Sequence, residues 1–181
     1  MSLTFLLGGA RSGKSTLAVR LAASTKGPVV FVATAESRDE EMATRIAEHR
    51  AARPATWATV EEPIDLGGAL SNAPADACLV LDCLTLWVSN LLERGDADED
   101  VVSASEKALA IATGRAGPVI AVSNEVGSGI VPAHPVARRY RDLLGRINAM
   151  WADAADEAFL LVAGRALVLQ PIDPRADHAG G

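Results

Sequence analysis

At 181 residues the chain suits one domain around one buried core and is too short to add separate nucleic-acid-binding modules. Hydrophobic residues at 49% and charged residues at 22% are the balance of an ordinary soluble globular chain, and a formal net charge of −6 argues against a nucleic-acid binder working through a broad basic surface. No apolar run approaches the roughly 18 residues that span a bilayer, so no integral membrane segment is expected.

The first apolar run, Leu3–Leu7, has no basic region ahead of it and leads directly into glycines, so it reads as a strand and not as a signal peptide. It is followed by Gly8-Gly9-Ala10-Arg11-Ser12-Gly13-Lys14-Ser15, in which Gly8, four residues and Gly13-Lys14-Ser15 have the spacing of a phosphate-cradling loop. In such a loop successive backbone N–H groups point at phosphate oxygens, and the helix that follows adds its positive end. Lys14 would reach the β- and γ-phosphates and the Ser15 hydroxyl would bind Mg²⁺. A helix over Lys14–Ala23 and a strand over Val29–Thr34 come next, then a helix over Asp39–Ala52. On that helix Met42, Ile46, His49 and Arg53 fall at i, i+4, i+7 and i+11 and share a face, with Arg45 four residues before His49. From spacing alone, His49 reads first as a half-buried structural histidine.

A strand over Cys78–Asp82 ends in a carboxylate, which suits support of Mg²⁺ from a neighbouring strand; capping the helix that begins at Leu84 is its other reading. Cys78 and Cys83 flank that strand and read as reduced, small apolar residues of a cytoplasmic protein. Helices are predicted over Leu84–Glu93 and Glu99–Thr113, with the acidic Gly95–Asp100 stretch as a surface loop between them and Gly114–Pro118 as a break. A strand over Val119–Ser123 leads into Ser123-Asn124-Glu125-Val126-Gly127-Ser128-Gly129-Ile130-Val131-Pro132. That loop stands where open α/β sheets bind ligands, although Gly127 and Gly129 need do no more than permit a turn. A helix over Val136–Ala154, a strand over Ala158–Ala163 and an edge strand over Leu167–Gln170 complete the pattern, and Pro171–Gly181 reads as a frayed tail. Nearly continuous apolar strands alternating with helices predict one α/β domain over 1–170, its mainly parallel sheet flanked by helices. Bottom-up reasoning stops at phosphoryl transfer on an unknown substrate.

The chain resembles the bifunctional adenosylcobinamide kinase / adenosylcobinamide-phosphate guanylyltransferase family from Gly8 to about Gly164. The resemblance rests on the Gly8–Ser15 loop, Asp39-Glu40-Glu41-Met42, Arg45-Ile46, His49-Arg50, Arg53-Pro54 and Trp57. It continues through Leu81-Asp82-Cys83-Leu84-Thr85, Asn90-Leu91-Leu92, the Asn124–Pro132 loop, and Arg138, Arg141-Asp142, Gly145-Arg146 and Asn148. Two departures stand out: Ala149 follows Asn148 where the family usually has glutamine, and Gly164-Arg165-Ala166-Leu167 lacks the usual proline-containing turn.

The resemblance implies a RecA-like P-loop NTPase fold, a cytoplasmic homotrimer, and two reactions. ATP or GTP phosphorylates the aminopropanol hydroxyl of adenosylcobinamide, and GTP then donates GMP to adenosylcobinamide phosphate with release of pyrophosphate. His49 stands at the position of the family's guanylylated histidine. Arg50 and Arg53 would bind the displaced phosphates, Ala51 and Ala52 between them would be nucleotide-binding positions, and Thr34, Ala35, Glu36 and Glu61 would line the guanine nucleotide site, with Asp82 completing the set. Two other readings stay open at this stage: a kinase for another small alcohol with His49 structural, and a nucleotide-binding regulatory module without catalysis.

Overall fold

All six strands anticipated from the sequence form, and a seventh joins them. The structure is a computed structural model that describes residues 2–172. Its elements are β1 (Leu3–Gly8), α1 (Lys14–Ala23), β2 (Val29–Ala33), α2 (Glu40–Ala51), β3 (Ala58–Glu61), α3 (Leu66–Asn72) and β4 (Cys78–Asp82). They continue with α4 (Leu84–Arg94), α5 (Asp98–Gly114), β5 (Val119–Asn124), α6 (Pro135–Ala154), β6 (Glu157–Val162) and β7 (Arg165–Leu169). The sheet order is β3-β2-β4-β5-β1-β6-β7, parallel throughout except for β7, which runs antiparallel to β6. This is the mainly parallel, helix-flanked sheet expected of the sequence.

The two faces of the sheet are covered unequally. Strand alternation sends Leu79 and Leu81 of β4 to one face and Cys78 and Val80 to the other. The first face carries α3, α4, α5 and α6, and Trp87, Leu144, Ile147 and Trp151 fill its core. The second is covered by α1, whose Ala18 and Ala22 lie against Val80, Ile120 and Val122. Small residues on α1 let its backbone come close to β4 and β5, which carries the phosphate loop over the sheet's carboxyl edge. By contrast α2 has no buried residue at all.

Three sequence expectations are corrected. β3 and α3 were not anticipated: Ala58-Thr59-Val60-Glu61 is too short and polar to stand out, and Gly67-Gly68 disguises a helix. α3 forms because Asp65 caps it, its Oδ1 accepting from Gly68 N at 2.9 Å, and because Leu66 and Leu70 are buried. The acidic stretch read as a loop ends at Ala97; Asp98, Glu99 and Asp100 form the first turn of α5, where carboxylates complement the helix dipole. β4 is not adjacent to β1, because β5 lies between them. The end of the tail, 173–181, lies outside the described residues.

Gly8 closes β1 with no room for a side chain: a Cβ there would stand 2.4 Å from the Leu161 carbonyl oxygen and 2.9 Å from Ser12 Oγ. Gly8→Ala is expected to lower stability by about 1–3 kcal/mol, the usual range for overpacking against backbone, measured as a shift of the urea midpoint at constant slope.

Candidate nucleotide site

The phosphate loop is braced from both sides. Gly8 O accepts from Glu125 N at 3.1 Å, and Ser12 O accepts from Gly164 N at 3.0 Å, so the Asn124–Pro132 loop and the β6–β7 turn both hold it. Arg11 and Gly13 adopt positive φ angles of 55° and 99°, which fold the backbone into the tight cradle. Gly13 precedes α1 without a side-chain cap, so the first-turn N–H groups are left for an anion. Lys14 is 7% exposed and folds back onto the loop, donating to Gly9 O at 2.7 Å and Ser12 Oγ at 3.4 Å. Burial pulls its ammonium below the usual lysine value, with Cys83 and Asp82 opposing the shift. Ala10 and Arg11 are exposed at the loop's crest, and Ser15 is half-buried in the first turn of α1.

Asp82 ends β4 with its side chain 11% exposed, and its Oδ2 lies 3.5 Å from His49 Nδ1. The structure thus brings His49 to the carboxylate, and the helix-cap reading of Asp82 does not apply: the residue at the start of α4 is Cys83, without a side-chain cap. The hydrogen bond to Asp82 raises the His49 imidazole above its ordinary value; burial and the nearby Arg45 and Arg53 oppose this. With Nδ1 facing Asp82, the neutral tautomer that donates there leaves its lone pair on Nε2.

The remaining candidates divide. Arg50 is paired with Glu61, so these two exposed residues meet across the gap between α2 and β3. Arg53 stacks on the Phe31 ring at 3.9 Å. Ala51 ends α2 and Ala52 caps it, both exposed. Ala35 and Glu36 follow β2 at the same edge, Glu36 paired with Arg38. Thr34, at the same edge, is buried. It is 1% exposed, its hydroxyl donates to Cys83 O at 2.7 Å and accepts from Cys83 N at 2.9 Å, and its carbonyl accepts from Asn90.

Sequence reasoning assigned no role to Arg38, Asn90 or Phe31, and nothing in their spacing singles them out. The Asn124–Pro132 loop is tied at its start, where Asn124 N donates to Thr85 Oγ1 at 2.7 Å and Asn124 O accepts from Asn148 Nδ2 at 3.0 Å. Farther along it is open, with Ile130 97% exposed. A groove of about 440 Å³ along β2, β3 and α3 contains none of these residues.

The donors suit Mg²⁺. Among the described residues no group of three or more His, Cys, Asp or Glu side chains forms a cage. A single carboxylate with a nearby hydroxyl is the usual protein share when phosphates supply other oxygens. Asp82 has a second oxygen besides the one facing His49, and Ser15 stands on the first turn of α1.

The family model for cobinamide kinase / cobinamide phosphate guanyltransferase matches residues 4–169. The chain is 46% identical over 167 residues to the bifunctional adenosylcobalamin biosynthesis protein CobP of Pseudomonas aeruginosa, covering 91% of this chain and 95% of that one. It is 40% identical over 176 residues to the bifunctional adenosylcobalamin biosynthesis protein CobU of Salmonella typhimurium, covering 90% and 96%. Among solved structures it is similar to the type III secretion ATPase EscN of enteropathogenic E. coli, with a TM-score of 0.56, 18% identity, and 90% of this chain and 43% of that one covered. The RadB recombinase is similar at a TM-score of 0.51 and 19% identity, covering 88% and 73%. At such identities these two structures speak to the P-loop NTPase fold alone.

Because Asp82 raises His49, the pair stabilises the folded chain below the ordinary imidazole value of 6.5 and this contribution is lost as pH rises through the folded value. Titration of the His49 ring by NMR, without nucleotide, is expected to give a midpoint above that of a free imidazole. Asp82→Asn should bring the midpoint down.

Proposed function

The chain belongs to the cobinamide kinase / cobinamide phosphate guanyltransferase family and is a kinase and guanylyltransferase of cobalamin biosynthesis; we propose that it performs both transfers at one triphosphate site, the second through His49. The observation that carries this reading is His49 Nδ1 at 3.5 Å from Asp82, on the sheet edge that also holds the phosphate loop.

In the first reaction the loop N–H groups and Lys14 hold the triphosphate of ATP or GTP. The hydroxyl of adenosylcobinamide attacks the γ-phosphorus, and the nucleoside diphosphate leaves. In the second, His49 Nε2 attacks the α-phosphorus of GTP; the new N–P bond replaces the bond to pyrophosphate, which departs. A phosphate oxygen of adenosylcobinamide phosphate then attacks the same phosphorus, giving adenosylcobinamide-GDP and restoring His49. Splitting one displacement into two uses imidazole as a nucleophile at neutral pH. Asp82 holds Nδ1 and fixes which nitrogen is free. Arg50 and Arg53 neutralise phosphates, their planar forks suiting oxygen pairs. Glu36, Glu61, Ala35, Ala51 and Ala52 border the guanosine, and Thr34 supports them from below. Ser15 and the second Asp82 oxygen would hold Mg²⁺, which supplies charge neutralisation of the phosphates when bound. We extend the reading to a cytoplasmic homotrimer, for which sedimentation analysis is the direct check.

The test is incubation with GTP labelled at the α- or the γ-phosphate. Label from the α-position is expected to remain on the protein, acid-labile and alkali-stable, and to be discharged by adenosylcobinamide phosphate; label from the γ-position should not remain. His49→Asn is expected to retain none yet still phosphorylate adenosylcobinamide. Retention of α-label by this variant would place the nucleophile elsewhere.

Lys14→Ala is expected to slow both reactions by about 10²–10³, the usual cost of removing one charge-stabilising group. Steady-state rates for each reaction check this, and near-normal turnover would remove Lys14 from the triphosphate site.

A further inference from the structure

Asn90 sits midway along α4, 6% exposed, outside every position assigned to nucleotide or acceptor. Its Nδ2 donates to Thr34 O at 2.8 Å and to Pro63 O at 3.1 Å, and its Oδ1 accepts from Arg38 at 2.9 Å. One amide therefore ties the segment entering α2 and the segment between β3 and α3 to the same helix. Arg38 adds ion pairs to Glu36 and Glu93. The next residue, Asp39, caps α2 by accepting from Met42 N at 2.7 Å. The entry to α2 is thus fastened to α4 immediately before the helix starts.

This fastening matters because α2 has no buried residue. Its far end is held by Arg53 on Phe31. With so little packing beneath the helix, the position of His49 over Asp82 depends on what holds its two ends. A buried amide with both N–H groups and its oxygen engaged fixes direction as well as distance, which an apolar residue of equal volume would not.

We propose that Asn90 is a positioning residue for guanylyl transfer: it sets the entry to α2 so that His49 meets Asp82 beside the triphosphate. The proposal rests on the reading of His49 as the nucleophile. It does not extend to the phosphate loop, which α2 does not build.

Asn90→Asp tests it. The change is nearly isosteric and leaves a partner for Arg38, but it removes both N–H donors and sets a carboxylate against two carbonyls. The rate of protein labelling from α-labelled GTP is expected to fall roughly tenfold or more, as ångström-scale misplacement of a reacting group does, while affinity for a non-hydrolysable GTP analogue stays within about threefold of wild type. Arg38→Met loosens the same anchor from its solvent side and decides the matter if the first variant does not fold; the same split is expected. Labelling at the wild-type rate in the folded variants overturns the proposal, as does a parallel fall in labelling and affinity, which marks a general structural role. Absence of label in the wild-type protein instead overturns the reading of His49, and the anchor with it.

Discussion

Asp82 stands where a loop shaped for phosphates meets a helix that carries a histidine, and one carboxylate acts toward both. Its charge opposes the burial that weakens the Lys14 ammonium, and its Oδ2 raises the His49 imidazole through a 3.5 Å contact. Removing that charge would loosen the histidine and leave the buried lysine with less compensation. The carboxylate is held in turn from below, because the Thr34 hydroxyl clamps both the N–H and the carbonyl of Cys83, the next residue. The order of the sheet makes this meeting possible: with β5 between β1 and β4, the loop after β1 and the carboxylate after β4 face each other across one strand.

The unequal clothing of the sheet follows the same division of labour. Four helices on one face bury the aromatic core, and α1 covers the other face with small residues. What is left, α2 and the carboxyl edge, is fastened by polar contacts more than by packing. Elements with few buried apolar contacts are the ones that open at low cost in free energy. In the proposed mechanism α2 presents a nucleophile to one substrate and then to another, which suits that end of the range provided its ends are anchored.

The fold was legible wherever apolar residues recur in one of two periods. Leu3–Leu7 and Cys78–Asp82 stand out because their burial is nearly complete, Lys14–Ala23 because small apolar residues recur at helical spacing behind the glycine loop, and the structure reproduces all three to within a residue. β3 and α3 were not legible, since a four-residue edge strand and a helix containing two glycines carry little local signal; burial of Leu66 and Leu70 and the Asp65 cap form α3. The phosphate loop could be read because its backbone needs glycines at fixed spacing. His49 could be marked only by resemblance, since periodicity alone favours a structural histidine. The anchor that Arg38 and Asn90 form was not legible for a different reason: although Asn90 belongs to a stretch that carries the family resemblance, these partners lie 52 and up to 56 residues apart in sequence, and only the folded chain brings them together.

The central claim is that Asp82 holds one nitrogen of His49 so that the other takes up GMP. Phosphorus NMR of the GTP-treated protein, carrying nitrogen-labelled histidine, tests it most directly. The account predicts a phosphoramidate whose phosphorus couples to Nε2 of His49 while Nδ1 keeps its proton. Coupling to Nδ1, or a phosphoramidate on another histidine, would contradict it.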